Sequence, residues 1–277
     1  MNKRITIALA FAFILLLSVV FRSKIGQFIS LQGSEQGGEQ VQKNSPLPSS
    51  SPASTPGASQ APIVSSMPRP VPSQFPVYKG RPVEEVRADP EEVKLFSESQ
   101  KQDMYRALQN FGKSVRENPD TFNSWIQLGL LKKVIGDYEG ARDAWEYAGV
   151  IRPQNDISFA NLGELYWHYL HDFNRSESNF KTAIKNNPND PGTYASLSDV
   201  YFYSLKSKAN LAEDILFQGI AVNPKSINLL KKLANLYERQ GEYAKAIEQW
   251  QKVLAQDPHD QNIAAAIEAL KKKLGQQ

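Results

Sequence analysis

Three side chains near the middle of the sequence have the residue types of a metal site. Glu164, His168 and His171 stand at i, i+4 and i+7, so a helix would turn a carboxylate and an imidazole to the same side. His171, however, falls where the helical pattern gives way to a turn. Polar residues on a solvated helix surface explain all three positions, and we therefore predict no metal site.

A serine and a lysine further along have the spacing of a catalytic pair. Ser178 and Lys181 form an S-x-x-K sequence, the pattern of a serine nucleophile and its base. Phe180, between them, occupies a packing position, and no K-T-G sequence follows. The chain also has no cysteine, no Gly-rich phosphate loop and no nucleophile elbow. We therefore predict a non-enzymatic protein with no catalytic residue, metal or cofactor.

The distribution of charge argues against nucleic acid as a partner. Residues 1–89 contain 9 Lys and Arg against 5 Asp and Glu, whereas residues 90–277 contain 23 against 24. The formal net charge of +3 therefore comes from the N-terminal part of the chain. Because domains that bind nucleic acid present a basic face, we predict no nucleic-acid partner.

The N-terminus has the features of a membrane anchor. After a short tail, residues 1–4, the stretch 5–21 is apolar and uncharged. As a helix it would be about 25 Å long, close to the ~30 Å of a hydrocarbon core. The alternative is a cleaved secretory signal, but the sequence from Val19 to Lys24 is a poor cleavage site. We expect an uncleaved transmembrane helix.

The orientation of this anchor rests on the shortness of the N-terminal tail. Positive charges are nearly balanced on the two sides of residues 5–21. A short charged tail before a first apolar segment usually stays in the cytoplasm. We therefore expect a single-pass bacterial membrane protein whose N-terminus is cytoplasmic and whose remaining chain lies outside the cytoplasm.

A long segment rich in proline and serine follows. Residues 32–88 hold ten of the seventeen prolines and little apolar area, so we predict a disordered linker. Such a linker acts as a spacer, and the alternative is a PxxP ligand for an aromatic groove. The folded domain is predicted for residues 89–277, beginning at Asp89 and Pro90, a helix cap followed by a proline at the first helical position.

Prolines at a regular interval divide this domain. Pro119, Pro153, Pro188, Pro224 and Pro258 are separated by 34, 35, 36 and 34 residues, and each follows a helical pattern. A fixed period of this size is typical of stacked helix pairs, and no strand-like alternation is present. The sequence therefore predicts an all-α domain of repeats.

Aligned on these prolines, the repeats share small and large residues at fixed positions. Four groups illustrate the pattern: Leu128, Leu162, Leu197 and Leu233; Gly129, Gly163, Ser198 and Ala234; Ala141, Ser176, Ala212 and Ala246; Trp145, Phe180, Leu216 and Trp250. Small residues allow close helix contact, and large ones fill the space between pairs. Lys132 departs from the pattern, because Tyr166, Tyr201 and Tyr237 stand at the same position in the other repeats.

This pattern resembles the tetratricopeptide repeat (TPR) family. The resemblance implies a right-handed α-solenoid with a partial unit at 90–119, four repeats at 122–155, 156–190, 191–226 and 227–260, and a capping helix at 261–274. The first helices would line a concave groove that binds a peptide or protein partner. The inward positions that it implies are Gln127, Leu130, Asn161, Glu164, Trp167, His168, Ser196, Asp199, Phe202, Tyr203, Lys231 and Asn235.

Two main functions remain open on the sequence alone, besides an accessory part of an enzyme whose chemistry another chain would supply. The first is a membrane-tethered adaptor that binds its partner in the groove, with the aromatic residues as anchors. The second is a structural subunit of a membrane or envelope assembly that docks through the convex face or the ends. The sequence also leaves open whether Trp167, Phe202 and Tyr203 belong to the groove or to the core.

Overall fold

The computed structural model describes residues 75–276, and all regular elements in this range are helices. The all-α prediction is thereby confirmed for the described part of the chain. Residues 1–74, with the predicted anchor at 5–21 and most of the predicted linker, lie outside it. Among residues 75–276 no helix is long and apolar enough to span a bilayer.

The α-helices follow one another with short connections. In chain order they are α1 (Pro90–Val93), α2 (Glu98–Glu117), α3 (Phe122–Val134), α4 (Tyr138–Ile151), α5 (Ile157–His168), α6 (Phe173–Asn186), α7 (Pro191–Asp199), α8 (Leu211–Val222), α9 (Ile227–Gln240), α10 (Tyr243–Leu254) and α11 (Gln261–Leu274). A π-helix (Val200–Ser204) and a 3₁₀ turn (Lys206–Lys208) separate α7 from α8.

Side-chain caps explain where many of these helices begin. The carboxylate of Asp137 accepts a hydrogen bond from the Gly140 amide at the start of α4. Ser97 and Gln100 form a reciprocal capping box at the start of α2. This second cap begins a new helix within residues 90–117, which therefore form the separate helices α1 and α2.

The helices pack in consecutive pairs, α3 with α4, α5 with α6, α7 with α8 and α9 with α10, and α11 packs on α10. Close packing within pairs depends on the small residues of the repeat. A Cβ atom at Gly129 would lie 2.3 Å from Nε1 of Trp145, and one at Gly163 would lie 2.6 Å from the Phe180 ring. The predicted role of these glycines is confirmed.

The linker prediction is wrong for residues 75–88. This segment, which we call the N-terminal strap, packs onto the N-terminal helices α1 to α4. The Tyr78 ring lies 4.8 Å from the Trp125 ring and 5.5 Å from the Tyr147 ring, centroid to centroid. The Tyr147 hydroxyl donates to the Pro76 carbonyl at 2.8 Å. Ordering this segment costs conformational entropy, and the burial of its aromatic side chains offsets that cost.

The strap also accounts for the unusual Lys132. The ammonium of Lys132 donates to the Asp137 carboxylate at 2.8 Å and to the strap carbonyl of Glu85 at 3.1 Å. The side chains of Lys132 and Asp137 are each only 1% exposed. Arg81 of the strap adds a 3.1 Å bond to the same carboxylate. A buried charge is thus paired and hydrogen-bonded, as its desolvation requires.

Candidate partner-binding face

Polar contacts join the first helices of three successive repeats. The Ser196 hydroxyl on α7 donates to the Glu164 carboxylate on α5 at 2.6 Å. Further along, the Lys232 ammonium on α9 donates to the Asp199 carboxylate at 2.7 Å. We call the surface formed by α5, α7 with its π-helix, and α9 the first-helix face.

A π-helix interrupts the middle of this face. Its wide turn is closed by a hydrogen bond from the Leu205 amide to the Val200 carbonyl at 2.8 Å, five residues apart. The repeat at 191–226 is two residues longer than the repeats that open and close the array, and this wide turn lies where the extra length falls. Single π turns are enriched at functional sites because they change the direction of side chains.

The π-helix carries two aromatic residues of the face. Phe202 is half-buried against the core, as is Trp167 on α5, whose indole N–H donates to the Ser204 hydroxyl at 2.9 Å. Tyr203 is 43% exposed. The structure therefore places Tyr203 in solvent, whereas Trp167 and Phe202 belong partly to the core.

Two cations lie against the ring of Tyr203. The guanidinium carbon of Arg239 is 5.5 Å from the ring centroid, and the Lys206 ammonium is 6.0 Å from it. Lys206 also lies 5.5 Å from the Phe202 ring. These distances are within the range of cation–π attraction.

The predicted groove residues are all at least partly accessible. Gln127, Asn161, Glu164, Trp167, Ser196, Asp199, Phe202 and Lys231 are half-buried, and Leu130, His168, Tyr203 and Asn235 are exposed. A direct hydrogen bond joins two members on different helices, Ser196 and Glu164. On α9 the contact to Asp199 is made by Lys232, which adjoins the predicted Lys231. Among residues 75–276 no hydrogen bond, ion pair or ring contact connects Gln127 or Leu130 on α3 to this network.

A buried carboxylate on the second-helix side supports the π-helix. Glu177 on α6 accepts hydrogen bonds from Tyr201 at 3.1 Å and from Lys181 at 2.6 Å, and it also contacts the Lys208 ammonium of the 3₁₀ turn. Burial by itself raises the pKa of Glu177, but these donors prevail and hold the pKa below its ordinary value. This network fixes both ends of the segment that presents Tyr203.

Tyrosine–glutamate hydrogen bonds occur at each inner junction between repeats. The hydroxyls of Tyr166, Tyr201 and Tyr237 donate to carboxylates on the second helix of the preceding repeat, which are Glu146, Glu177 and Glu213 respectively. Burial is the main cause that raises the pKa of each of these tyrosines. Each of these hydroxyls is therefore protonated at neutral pH and serves as a donor.

Sequence reasoning missed the roles of Lys206 and Glu177. Both contact the long repeat at 191–226, and its two extra residues, at the turn after α7, were the available signal. Neither cation–π geometry nor a π-helical turn can be read from local periodicity, because each depends on the packing of a neighbouring repeat.

The possible metal ligands are only partly assembled. Nε2 of His168 lies 3.1 Å from the Glu164 carboxylate. His171 has a positive φ of 53° in the turn after α5, and its ring is 6.4 Å from that of Phe173. Within residues 75–276 no group of three or more His, Asp or Glu side chains could hold a metal ion.

Comparison with known proteins identifies one repeat directly. Residues 227–260 match the family model described as the tetratricopeptide repeat. A relative in Escherichia coli O157:H7, the formate-dependent nitrite reductase complex subunit NrfG, is 30% identical over 103 residues, or 37% of this chain. The match spans 52% of that relative, about half its length.

Several solved structures are similar at lower identity. MamA is 19% identical with a TM-score of 0.49, covering 58% of this chain and 92% of its own. A thermophilic TPR protein of Thermus thermophilus is 21% identical with a TM-score of 0.45, covering 65% and 95%. YrrB, described as a TPR protein with an unusual peptide-binding site, is 18% identical with a TM-score of 0.44, covering 59% and 84%. Residues 227–260 therefore match the tetratricopeptide repeat, and the helix pairs of the described residues form an all-α helical-repeat solenoid.

Proposed function

We propose that this protein is a non-catalytic, membrane-tethered adaptor that binds a peptide or protein partner on the first-helix face. Helical-repeat proteins of this family generally act in protein–protein interaction. The observation that carries the proposal is the exposed Tyr203, fixed by Arg239 and the π-helix within contacts that join three repeats. A rigid, accessible aromatic side chain is the residue type most often found at the centre of binding interfaces.

The tether is proposed from the sequence. Residues 5–21 would anchor the chain in the membrane, and the Pro-rich residues 32–74 would hold the folded part away from the bilayer. We propose that the repeats lie outside the cytoplasm. Protease protection in intact cells and in spheroplasts tests this. We expect added protease to digest the repeats in spheroplasts but not in intact cells. Resistance in spheroplasts would place the repeats in the cytoplasm.

In-cell photocrosslinking tests the binding face. The same repeat offers a matched pair of exposed aromatic residues: Tyr203 is 43% exposed on the π-helix, and Phe217 is 47% exposed on the second helix, α8. A photoreactive residue at Tyr203 is expected to give a discrete adduct that the probe at Phe217 does not give. Tyr203→Ala should abolish partner binding, while Phe217→Ala should preserve it and both should keep the helical circular dichroism of the parent.

A second candidate function is supported by the apolar surface of α8. Phe217 is 47% exposed and Val222 is 45% exposed, and Ile227 at the start of α9 is 38% exposed. A chain that serves as a structural subunit would bury such residues against its assembly, and the relative NrfG is itself named as a complex subunit. An adduct at Phe217 alone would favour this function over the groove-binding adaptor.

A further inference from the structure

We propose that the segment bound on the first-helix face is acidic, with an apolar side chain next to one or two carboxylates. This inference rests on the proposed function and specifies the chemistry of its partner. The apolar side chain would stack on the Tyr203 ring, and the carboxylates would reach Arg239 and Lys206.

The first argument is the charge immediately around Tyr203. Arg239 and Lys206 both lie within 6.0 Å of its ring centroid. Lys206 donates to the Phe202 carbonyl at 2.7 Å, and among residues 75–276 neither cation has a carboxylate within ion-pair distance. Two positive charges are therefore held beside an exposed ring, and the described part of the chain supplies no compensating anion.

The second argument is that the carboxylates of the face already have partners. Glu164 accepts from Ser196 at 2.6 Å and lies 3.1 Å from His168. Asp199 is paired with Lys232 at 2.7 Å. A basic ligand would have to break these contacts, whereas an acidic ligand would use cations that are unpaired. The charges of the face thus favour an anionic occupant.

The third argument is the fixed position of the Arg239 guanidinium. Because Arg239 is already held over the Tyr203 ring, it loses less side-chain entropy on binding than an unrestrained surface arginine would. A guanidinium can donate two parallel hydrogen bonds to one carboxylate, which a lysine cannot do. The site therefore distinguishes a carboxylate beside an apolar group from either group alone.

The extent of the positive charge favours a peptide over a nucleic acid. Residues 90–277 contain 23 Lys and Arg against 24 Asp and Glu, so this part of the chain carries no general excess of positive charge. Binding to a phosphate backbone requires a row of cations along an extended surface. Two cations around a single ring fit one or two carboxylates.

Fluorescence anisotropy with synthetic peptides tests the inference. The probe is a fluorescein-labelled Gly-Ser peptide with a central phenylalanine flanked by two glutamates, compared with peptides in which glutamine or lysine replaces both glutamates. With the full-length protein in detergent, the Glu peptide should bind at least about tenfold more tightly than the Gln peptide, and the Lys peptide most weakly. Its affinity should fall as salt rises from about 0.05 M to about 0.5 M.

Variants assign the effect to the two cations. Arg239→Gln combined with Lys206→Gln should remove the preference for the Glu peptide, and Arg239→Lys should retain part of it. Lys185→Gln is the matched control, because Lys185 is an exposed cation on the second helix α6. This control should bind the Glu peptide as the parent does. Equal binding of the Glu and Gln peptides, or no binding of either at about 1 mM, would overturn the inference.

Photocrosslinking separates this inference from the proposed function. If Tyr203 still gives its adduct when Arg239 and Lys206 are both replaced by glutamine, the binding face stands and its acidic specificity is wrong. If Tyr203 gives no adduct in the parent protein, the proposed function itself is wrong.

Discussion

The first repeat and the inner repeats solve the same packing problem with different chemistry. At each inner junction a buried tyrosine donates to a glutamate of the preceding repeat, as Tyr237 does to Glu213 at 2.6 Å. At the same position the first repeat has Lys132, which pairs with Asp137 and a strap carbonyl. In an inner repeat, one tyrosine hydroxyl donates to the preceding repeat. In the first repeat, the ammonium of Lys132 donates both to its own repeat and to the strap.

This difference shows how a repeat array ends. Each repeat contacts only its neighbours, so the outermost repeat exposes a surface that other elements must cover. At the C-terminus the amphipathic α11 does so with apolar side chains: Ile263, Ile267 and Leu270 are buried. At the N-terminus an irregular strap does so, and its backbone requires polar partners that a helix satisfies internally.

Among the changes considered, removal of the Asp137 carboxylate should destabilise the protein most, because it disrupts the contacts between the first repeat and the strap. Asp137→Ala leaves the buried Lys132 ammonium with only the Glu85 carbonyl, and we expect a loss of about 4 kcal/mol in the free energy of unfolding. Urea denaturation of the purified protein measures this. Lys132→Met should cost less, because Asp137 keeps Arg81 and the Gly140 amide. A larger loss for Lys132→Met would contradict this account.

A methyl group at Gly112 should displace the strap without altering any charge. A Cβ atom there would lie 2.9 Å from the Val83 carbonyl oxygen and 3.0 Å from the Glu84 Cα, and backbone atoms cannot move aside as a flexible side chain can. We expect Gly112→Ala to cost about 2 kcal/mol and to increase proteolysis near residue 80.

Gly275→Ala is the control for this variant. A Cβ atom at Gly275, after α11, would make only an ordinary contact of 3.6 Å with the Lys271 carbonyl. Unchanged stability and strap proteolysis are expected. Equal effects of the two variants would mean that Gly112 is not a close contact of the strap.

Glu177 allows an inner junction to be tested by pH. Its pKa in the folded state is below the ordinary value of 4.5, so it stabilises the fold above that pH and the contribution is lost as pH falls through the folded pKa. Glu177→Gln should cost about 1.5 kcal/mol at neutral pH. We expect the melting temperature of the parent to fall between neutral and acidic pH, and that of the variant to fall less.

The smallest effect is expected from a single inner hydroxyl. Tyr237→Phe removes the bond to Glu213 but keeps the ring, and because the carboxylate is half-buried and can be rehydrated, the expected cost is about 1 kcal/mol. Tyr194→Phe is the matched control: Tyr194 is buried, and its hydroxyl has no hydrogen-bond partner among the described residues. Similar melting temperatures for the two variants would argue against a structural role for the tyrosine–glutamate bonds.

The repeat pattern was predictable because it follows from short-range spacing, and the candidate face stays a prediction derived from the same spacing. Gly163 stands at one of the aligned small positions and, as predicted, allows close helix contact, here with the ring of Phe180. The family model also matches residues 227–260, the range that the proline spacing predicts for the fourth repeat.

The strap and the π-helix could not be predicted for physical reasons. Tyr78 is ordered by rings 47 and 69 residues away, at Trp125 and Tyr147, and no local pattern reports such contacts. The Pro-rich composition around it indicates disorder on average, although a few aromatic residues reverse that tendency locally. The π-helix depends on a single shifted hydrogen bond from Leu205 to Val200, which the apolar periodicity does not record.

The strap has a mechanical consequence. The chain enters the helices through it, so tension on residues before Phe75 is transmitted to the strap before it reaches α1. Such a load would first separate the Pro76 carbonyl from Tyr147 and then Tyr78 from its aromatic neighbours. It would reach Lys132 only afterwards, and because each repeat contacts only its neighbours, we expect little strain in the repeats that carry Tyr203. Under such a load the contacts of the strap would therefore break before those of the first-helix face.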